Sequence, residues 1–216
     1  MRPIISIVGK SESGKTTLLE GLITKLKQRG YRVAVIKHSA EDVELDTVNK
    51  DSWRFSQVGS EVSAVTSIHK LAVFKNIAHD LSLQELSQFI GSDYDLILTE
   101  GFKQSNHPKI EVHRKEQGKE LLCQPQQLLA VVTDEPLDIA VPQFAKDEIQ
   151  KIVDLIENTV LVQTKENDID LFLNDTYIPI NKSIKNLLFR TLVAMISGLK
   201  GIKEMKSLRI ALRRKD

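Results

Sequence analysis

Residues 9–16, Gly-Lys-Ser-Glu-Ser-Gly-Lys-Thr, match every fixed position of the pattern G-x-x-x-x-G-K-[ST], and few folds can carry it. The pattern needs a buried strand before it and a helix directly after it, because successive backbone N–H groups and a helix N-terminus must converge on one anion. Both flanks are present. Ile4, Ile5, Ile7 and Val8 make a short apolar run suited to a buried parallel strand. After Thr16, Leu18, Leu19, Leu22, Ile23 and Leu26 recur at helical steps until Gly30 ends the run. In such a loop Gly9, Lys10, Ser11, Glu12, Ser13 and Gly14 wrap a polyphosphate with backbone amides, and Lys15 reaches the outer phosphates. The Thr16 hydroxyl holds a magnesium ion, and Thr17 is a further hydroxyl candidate.

The following chain reads as alternating strands and helices. Residues 31–37 form a second strand ending in Lys37-His38, which completes a βαβ unit. Residues 39–60 carry Glu41, Asp42, Glu44, Asp46, Asp51 and Arg54 without apolar periodicity, so we expect a functional loop leading to a short helix near 50–58. That loop leaves a strand's carboxyl end beside the phosphate loop, which makes Asp46 a candidate magnesium ligand. Residues 62–67 and 71–74 are β-prone, as a hairpin or as two sheet members, and 81–90 read as an amphipathic helix. The strand at 94–99 ends in Glu100-Gly101, and a carboxylate there suits the second magnesium element; Asp95 lies at the wrong end and suits a turn. Lys103 faces either an anionic substrate or solvent. Further strands are expected at 110–114 and 128–133, with a last core helix at 146–155. Asp134, after a late strand, is placed either to recognise a base or to close a turn.

The expected fold class is α/β: a mostly parallel sheet flanked by helices, like a P-loop NTPase, over residues 1–161. A small ββαβ appendage follows over 166–216, with strands near 169–173, 177–180 and 208–212, a helix over 182–199 and a basic end at 213–215. Thirty basic and 29 acidic residues leave a net charge of +1, so bulk charge points to neither nucleic acid nor an anionic membrane. With no apolar run of membrane-spanning length and no signal peptide, a cytoplasmic location is expected. The single cysteine, Cys123, is read as a packed side chain, and five scattered histidines offer no metal-ligand spacing.

Five segments together resemble the MobB family of molybdopterin-guanine dinucleotide biosynthesis proteins: GKSESGKTTLLEGLI, RVAVIKH, the acidic stretch around NKDSWR, DLILTEGFK and KIEVHR. The resemblance runs over about residues 3–158. It implies a GTP- and Mg2+-binding accessory protein of weak GTPase activity in molybdenum cofactor biosynthesis, similar to dethiobiotin-synthetase-like proteins. The implied partners are a second copy of the chain, molybdopterin or the molybdenum cofactor, and the guanylyltransferase that joins GMP to molybdopterin. The chain departs from the family with Asn49 where a glycine usually precedes Lys-Asp-Ser, and with Val58-Gly59-Ser60 where Ala-Gly-Ala usually follows. In the leading reading Lys15 and Glu100 are the catalytic pair and turnover is slow. No water-orienting glutamine or arginine finger is recognisable near the loop, and Arg54 or Arg114 from a dimer partner would be the candidates. The alternatives are an ATP-dependent small-molecule ligase or kinase, in which Lys37, Lys103 and the acidic loop bind a second substrate, and a non-hydrolysing cofactor carrier.

Overall fold

The computed structural model describes residues 2–39, 43–91, 93–118, 120–162, 169, 171–173, 176–198 and 208. In chain order its elements are β1 (Ile4–Gly9), α1 (Lys15–Gln28), β2 (Val33–Lys37), α2 (Asp51–Gln57), β3 (Val62–Thr66), β4 (Leu71–Lys75), α3 (Leu83–Ile90), β5 (Leu96–Glu100), β6 (Lys109–Val112), β7 (Leu128–Val132), β8 (Gln143–Phe144), α4 (Ile149–Ile156), β9 (Leu171–Leu173), β10 (Thr176–Ile178) and α5 (Lys182–Ser197). The central sheet has the order β2-β5-β1-β6-β7-β8, and every neighbouring pair is parallel. β1 thus lies inside the sheet, with β5 on one flank and β6 on the other, and all three deliver their carboxyl ends to the same edge.

Alternation along each strand sorts the two faces. On the first, Ile5 and Ile7 of β1, Leu96 and Leu98 of β5, Ile110 and Val112 of β6 and Ala130 and Val132 of β7 pack against α1 and α4. Those helices present Leu18, Leu19, Leu22 and Leu26, and Ile152, Val153 and Ile156. The second face is mixed. Ile4 and Ile97 meet Leu83, at the start of α3, and Tyr94, while Ser6, Thr99, Lys109 and Glu111 are polar and buried. At the amino-terminal edge Asp95, expected in a turn, instead accepts from the Arg32 backbone N–H at 2.8 Å and ties the start of β2 to that of β5.

The two β-prone runs at 62–75 form an antiparallel hairpin of their own, separate from the central sheet. The short β8 was not visible in the sequence. It is two residues long and joins the sheet only because its neighbour β7 supplies a ladder. In the appendage β9 pairs antiparallel with β10, and Asn181 caps α5 by accepting from Ile184 N at 2.9 Å. The expectations for residues 40–42, 166–168, 174–175 and 199–216 lie outside the described residues, Leu208 excepted. Among the described residues no helix is long and apolar enough to cross a membrane.

Candidate functional site

The loop between β1 and α1 is shaped by its backbone. Gly9 has φ +153°, and a β-carbon there would stand 2.6 Å from the Val112 carbonyl oxygen and 2.7 Å from Ser13 Oγ. Gly9→Ala is therefore expected to lose about 2 kcal/mol or more of folding stability, the cost of forcing the loop off β6. A urea melt that does not move would show that the loop yields freely. Glu12 (φ +60°) and Gly14 (φ +97°) take left-handed conformations that curl the chain back on itself.

α1 begins without a side-chain cap and without an acidic residue in its first turn. α3 shows the ordinary solution, a capping box in which Glu85 N donates to Ser82 Oγ at 3.2 Å and Ser82 N to Glu85 Oε2 at 2.8 Å. The first-turn amides of α1 thus face the loop with no side chain to accept from them. Beside them the Ser13 hydroxyl is 1% exposed and has no hydrogen-bond partner among the described residues. Orphaned amides and a buried hydroxyl together fit an anion in the cradle.

The catalytic candidates converge. Lys15 donates from Nζ to the Lys10 carbonyl at 2.7 Å, and burial holds its pKa below the ordinary lysine value. Glu100 opposes that shift, while the nearby positive charges of Lys103 and Lys37 add to it. Thr16 Oγ1 donates to Glu100 Oε2 at 3.3 Å, although the two lie 84 residues apart, and Lys37 Nζ stands 3.7 Å from Glu100 Oε1. Parallel pairing of β1 with β5 delivers this: Ile7 is in register with Glu100, two residues before the loop. A hydroxyl and a carboxylate at this spacing suit magnesium, which takes few protein ligands and completes its shell with phosphate oxygens and water. Among the described residues no group of three or more His, Cys, Asp or Glu could hold a metal without such help.

Of the other predicted residues, Asp46 bonds within its own loop and Asp134 reaches the connection after β6. Asp46 Oδ1 accepts from Thr47 N at 2.7 Å and from Ser52 Oγ at 3.0 Å, and its Oδ2 is buried without a partner. Asn49 has φ +68°, a conformation asparagine tolerates better than most residues. Asp134 accepts from the Lys115 backbone N–H at 2.9 Å, and that bond holds its pKa below the usual carboxylate value. Thr17 is exposed in the first turn of α1, and Lys103 is exposed after β5.

The sequence did not reveal how the segment after β6 meets the phosphate loop. Lys10 Nζ donates to the Gln117 carbonyl, and Gln117 Nε2 donates to the Ser11 carbonyl at 2.7 Å. Nor did it reveal two buried charges on β6. Lys109 is 0% exposed and donates to the Ser105 carbonyl; Glu111 is 2% exposed and accepts from Leu122 N at 2.6 Å and Cys123 N at 3.0 Å. The signal was the alternation Lys-Ile-Glu-Val-His, whose odd members are polar on a strand that both faces bury. Cys123 is buried, and burial with the neighbouring Glu111 charge pushes its thiol pKa up, which agrees with a packed side chain.

Comparison with known proteins adds the family. Residues 4–134 match the model of molybdopterin guanine dinucleotide synthesis protein B. The chain is 42% identical over 157 residues to the molybdopterin-guanine dinucleotide biosynthesis adapter protein of Haemophilus influenzae, covering 72% of this chain and 88% of that one. A putative adapter protein of Methanocaldococcus jannaschii is 24% identical across 97% of both chains, so its match also takes in the appendage. The crystal structure of a MobB homologue from Bacillus stearothermophilus superposes with a TM-score of 0.56 at 26% identity, over 73% of this chain and 97% of that one.

Proposed function

The chain belongs to the molybdopterin guanine dinucleotide synthesis protein B family, with a role in molybdenum-cofactor biosynthesis, and we propose that it fills that role as a magnesium- and GTP-binding accessory protein of slow turnover. The observation that carries the reading is the meeting of Thr16 with Glu100 beside a loop whose helix has no side-chain cap and whose buried Ser13 hydroxyl has no partner among the described residues. In this reading the amides of residues 9–16 and Lys15 bind the triphosphate. Thr16 and Glu100 hold the ion, which when bound would neutralise charge on the outer phosphates. Asp46, with its free buried oxygen, is the candidate for a further contact through the loop before α2.

The partners follow from the family: the guanylyltransferase that acts on molybdopterin, and a second copy of this chain in the cytoplasm. The homodimer is supported by the β3–β4 hairpin, which carries Val65 at 51% and Ile68 at 92% exposure outside the central sheet. The test is calorimetric titration with Mg-GTP and Mg-ATP, followed by guanylyltransferase turnover on molybdopterin with and without the chain. Preferential GTP binding and faster cofactor formation are expected. Rapid ATP consumption driven by a small metabolite would instead identify a ligase or kinase, and no heat with either nucleotide would end the reading.

A further inference from the structure

We propose that Arg114 is a phosphate-binding residue of this nucleotide site, supplied by the same chain and held at the loop by a clasp between the β6–β7 connection and residues 10–11. The inference rests on the nucleotide reading above and adds to it a residue on the flank opposite the metal ligands.

Position is the first argument. A β-carbon on Gly14 would lie 3.2 Å from Arg114 Nη2. Gly14 is the N-cap of α1, so the guanidinium stands at the helix entrance where the unsatisfied amides are. Thr16 and Glu100 approach from the β5 side of β1, and Arg114 follows β6 on the other side. A polyphosphate in the loop would be gripped from both flanks, with the metal on one and a planar fork of donors on the other.

The electrostatic state of Arg114 is the second argument. Arg29 and Arg32 each engage two carboxylates. Half-buried Arg114 has no carboxylate within ion-pair distance among the described residues, and its hydrogen bond there is a long one to the His113 carbonyl, 3.4 Å. A guanidinium partly withdrawn from water, with Asp134 acting on it only from beyond ion-pair distance, has donors to offer.

Its placement is also built. Gln117 N donates to the Arg114 carbonyl at 3.0 Å, closing a tight turn. Asp134 anchors that turn through Lys115 N, and Gln117 and Lys10 fasten it to the phosphate loop. The bonds on both sides of the turn fix the guanidinium's origin before a ligand arrives, which lowers the ordering cost of binding. They also give Asp134 a positioning role.

The test uses the full chain with Arg114→Ala and Arg114→Lys, titrated with Mg-GTP and Mg-GDP, and melted without nucleotide. Arg114→Ala should weaken both nucleotides on the order of tenfold to a hundredfold, and lysine should recover part of the loss as a point charge. The nucleotide-free melting temperature should stay within about 2 °C of wild type, since no ion pair is broken. Unchanged affinity in Arg114→Ala, alongside lost affinity in Lys15→Ala, would overturn the inference and leave the nucleotide site standing. A fall in melting temperature that accounts for the lost affinity, with no rescue by lysine, would also overturn it by making Arg114 a purely structural residue. Failure of the wild-type chain to bind either nucleotide removes the parent reading instead, and this inference with it.

Discussion

Lys15→Ala is expected to abolish binding of magnesium nucleotides, by at least about a hundredfold, while leaving the unliganded fold as stable as wild type or slightly more so. The asymmetry follows from the surroundings of the ammonium group. Among the described residues its acceptor is the Lys10 carbonyl, and burial together with the charges of Lys37 and Lys103 disfavours its charged form. Glu100 offsets this only in part, so the net shift is downward. A lysine whose folded pKa lies below its unfolded value weakens the fold wherever the ammonium must be kept, at all pH below the folded pKa. That penalty fades as pH rises through the folded pKa towards the unfolded one. The stability difference between wild type and Lys15→Ala should therefore shrink on alkaline titration. In the proposed function a bound polyphosphate would supply the missing anion, so deletion would remove a ligand contact rather than a structural one. Calorimetry and nucleotide-free melts separate the two. Binding within about threefold of wild type would show that the loop does not use Lys15 in the way the family of folds does.

The second large effect is on stability. Glu111→Ala should cost about 2–5 kcal/mol, because it buries an uncompensated gap beside β6 and removes the acceptor of the buried Cys123 N–H and of the part-buried Leu122 bond. Glu111→Gln keeps one carbonyl acceptor and should cost less. The structural consequence has its own readout, since Glu111 pins residues 122–123 against the second face of the sheet. In wild type Cys123 is buried, with its thiol pKa raised, and should resist alkylation in the native state. In Glu111→Ala the segment is released and alkylation should speed up well before global unfolding. Equal urea midpoints for wild type and variant would mean that solvent replaces the carboxylate at no cost, and that Glu111 is less enclosed than its 2% exposure indicates.

Much of the site was legible because it is local. Residues 4–26 encode strand, loop and helix within one stretch, and the structure has β1, a left-handed loop and α1 there. Glu100 was legible for a different reason: an apolar run that ends in a carboxylate fixes which sheet edge the carboxylate occupies, whatever its neighbours. β8 was not legible, since two residues carry no periodicity. The role of Asp134 was left between base recognition and turn closure; its bond to Lys115 N, in the connection after the neighbouring strand, is a tertiary contact that the sequence did not show. Arg114 was considered only as a contribution from a partner, and the structure brings it to its own phosphate loop.

What the sequence determined by itself was the strand, curled loop and helix over residues 4–28 and the alternating α/β character, because backbone curl, helix period and strand alternation are set by residues within a few positions of one another. What the tertiary structure decided was which distant groups meet that loop. The register of β1 with β5 brings Glu100 to Thr16, and its register with β6 pairs Gly9 with Val112, two residues short of Arg114. Strand order is a choice among partners many residues away, made by burying both faces of the sheet at once. No local pattern of side chains records it.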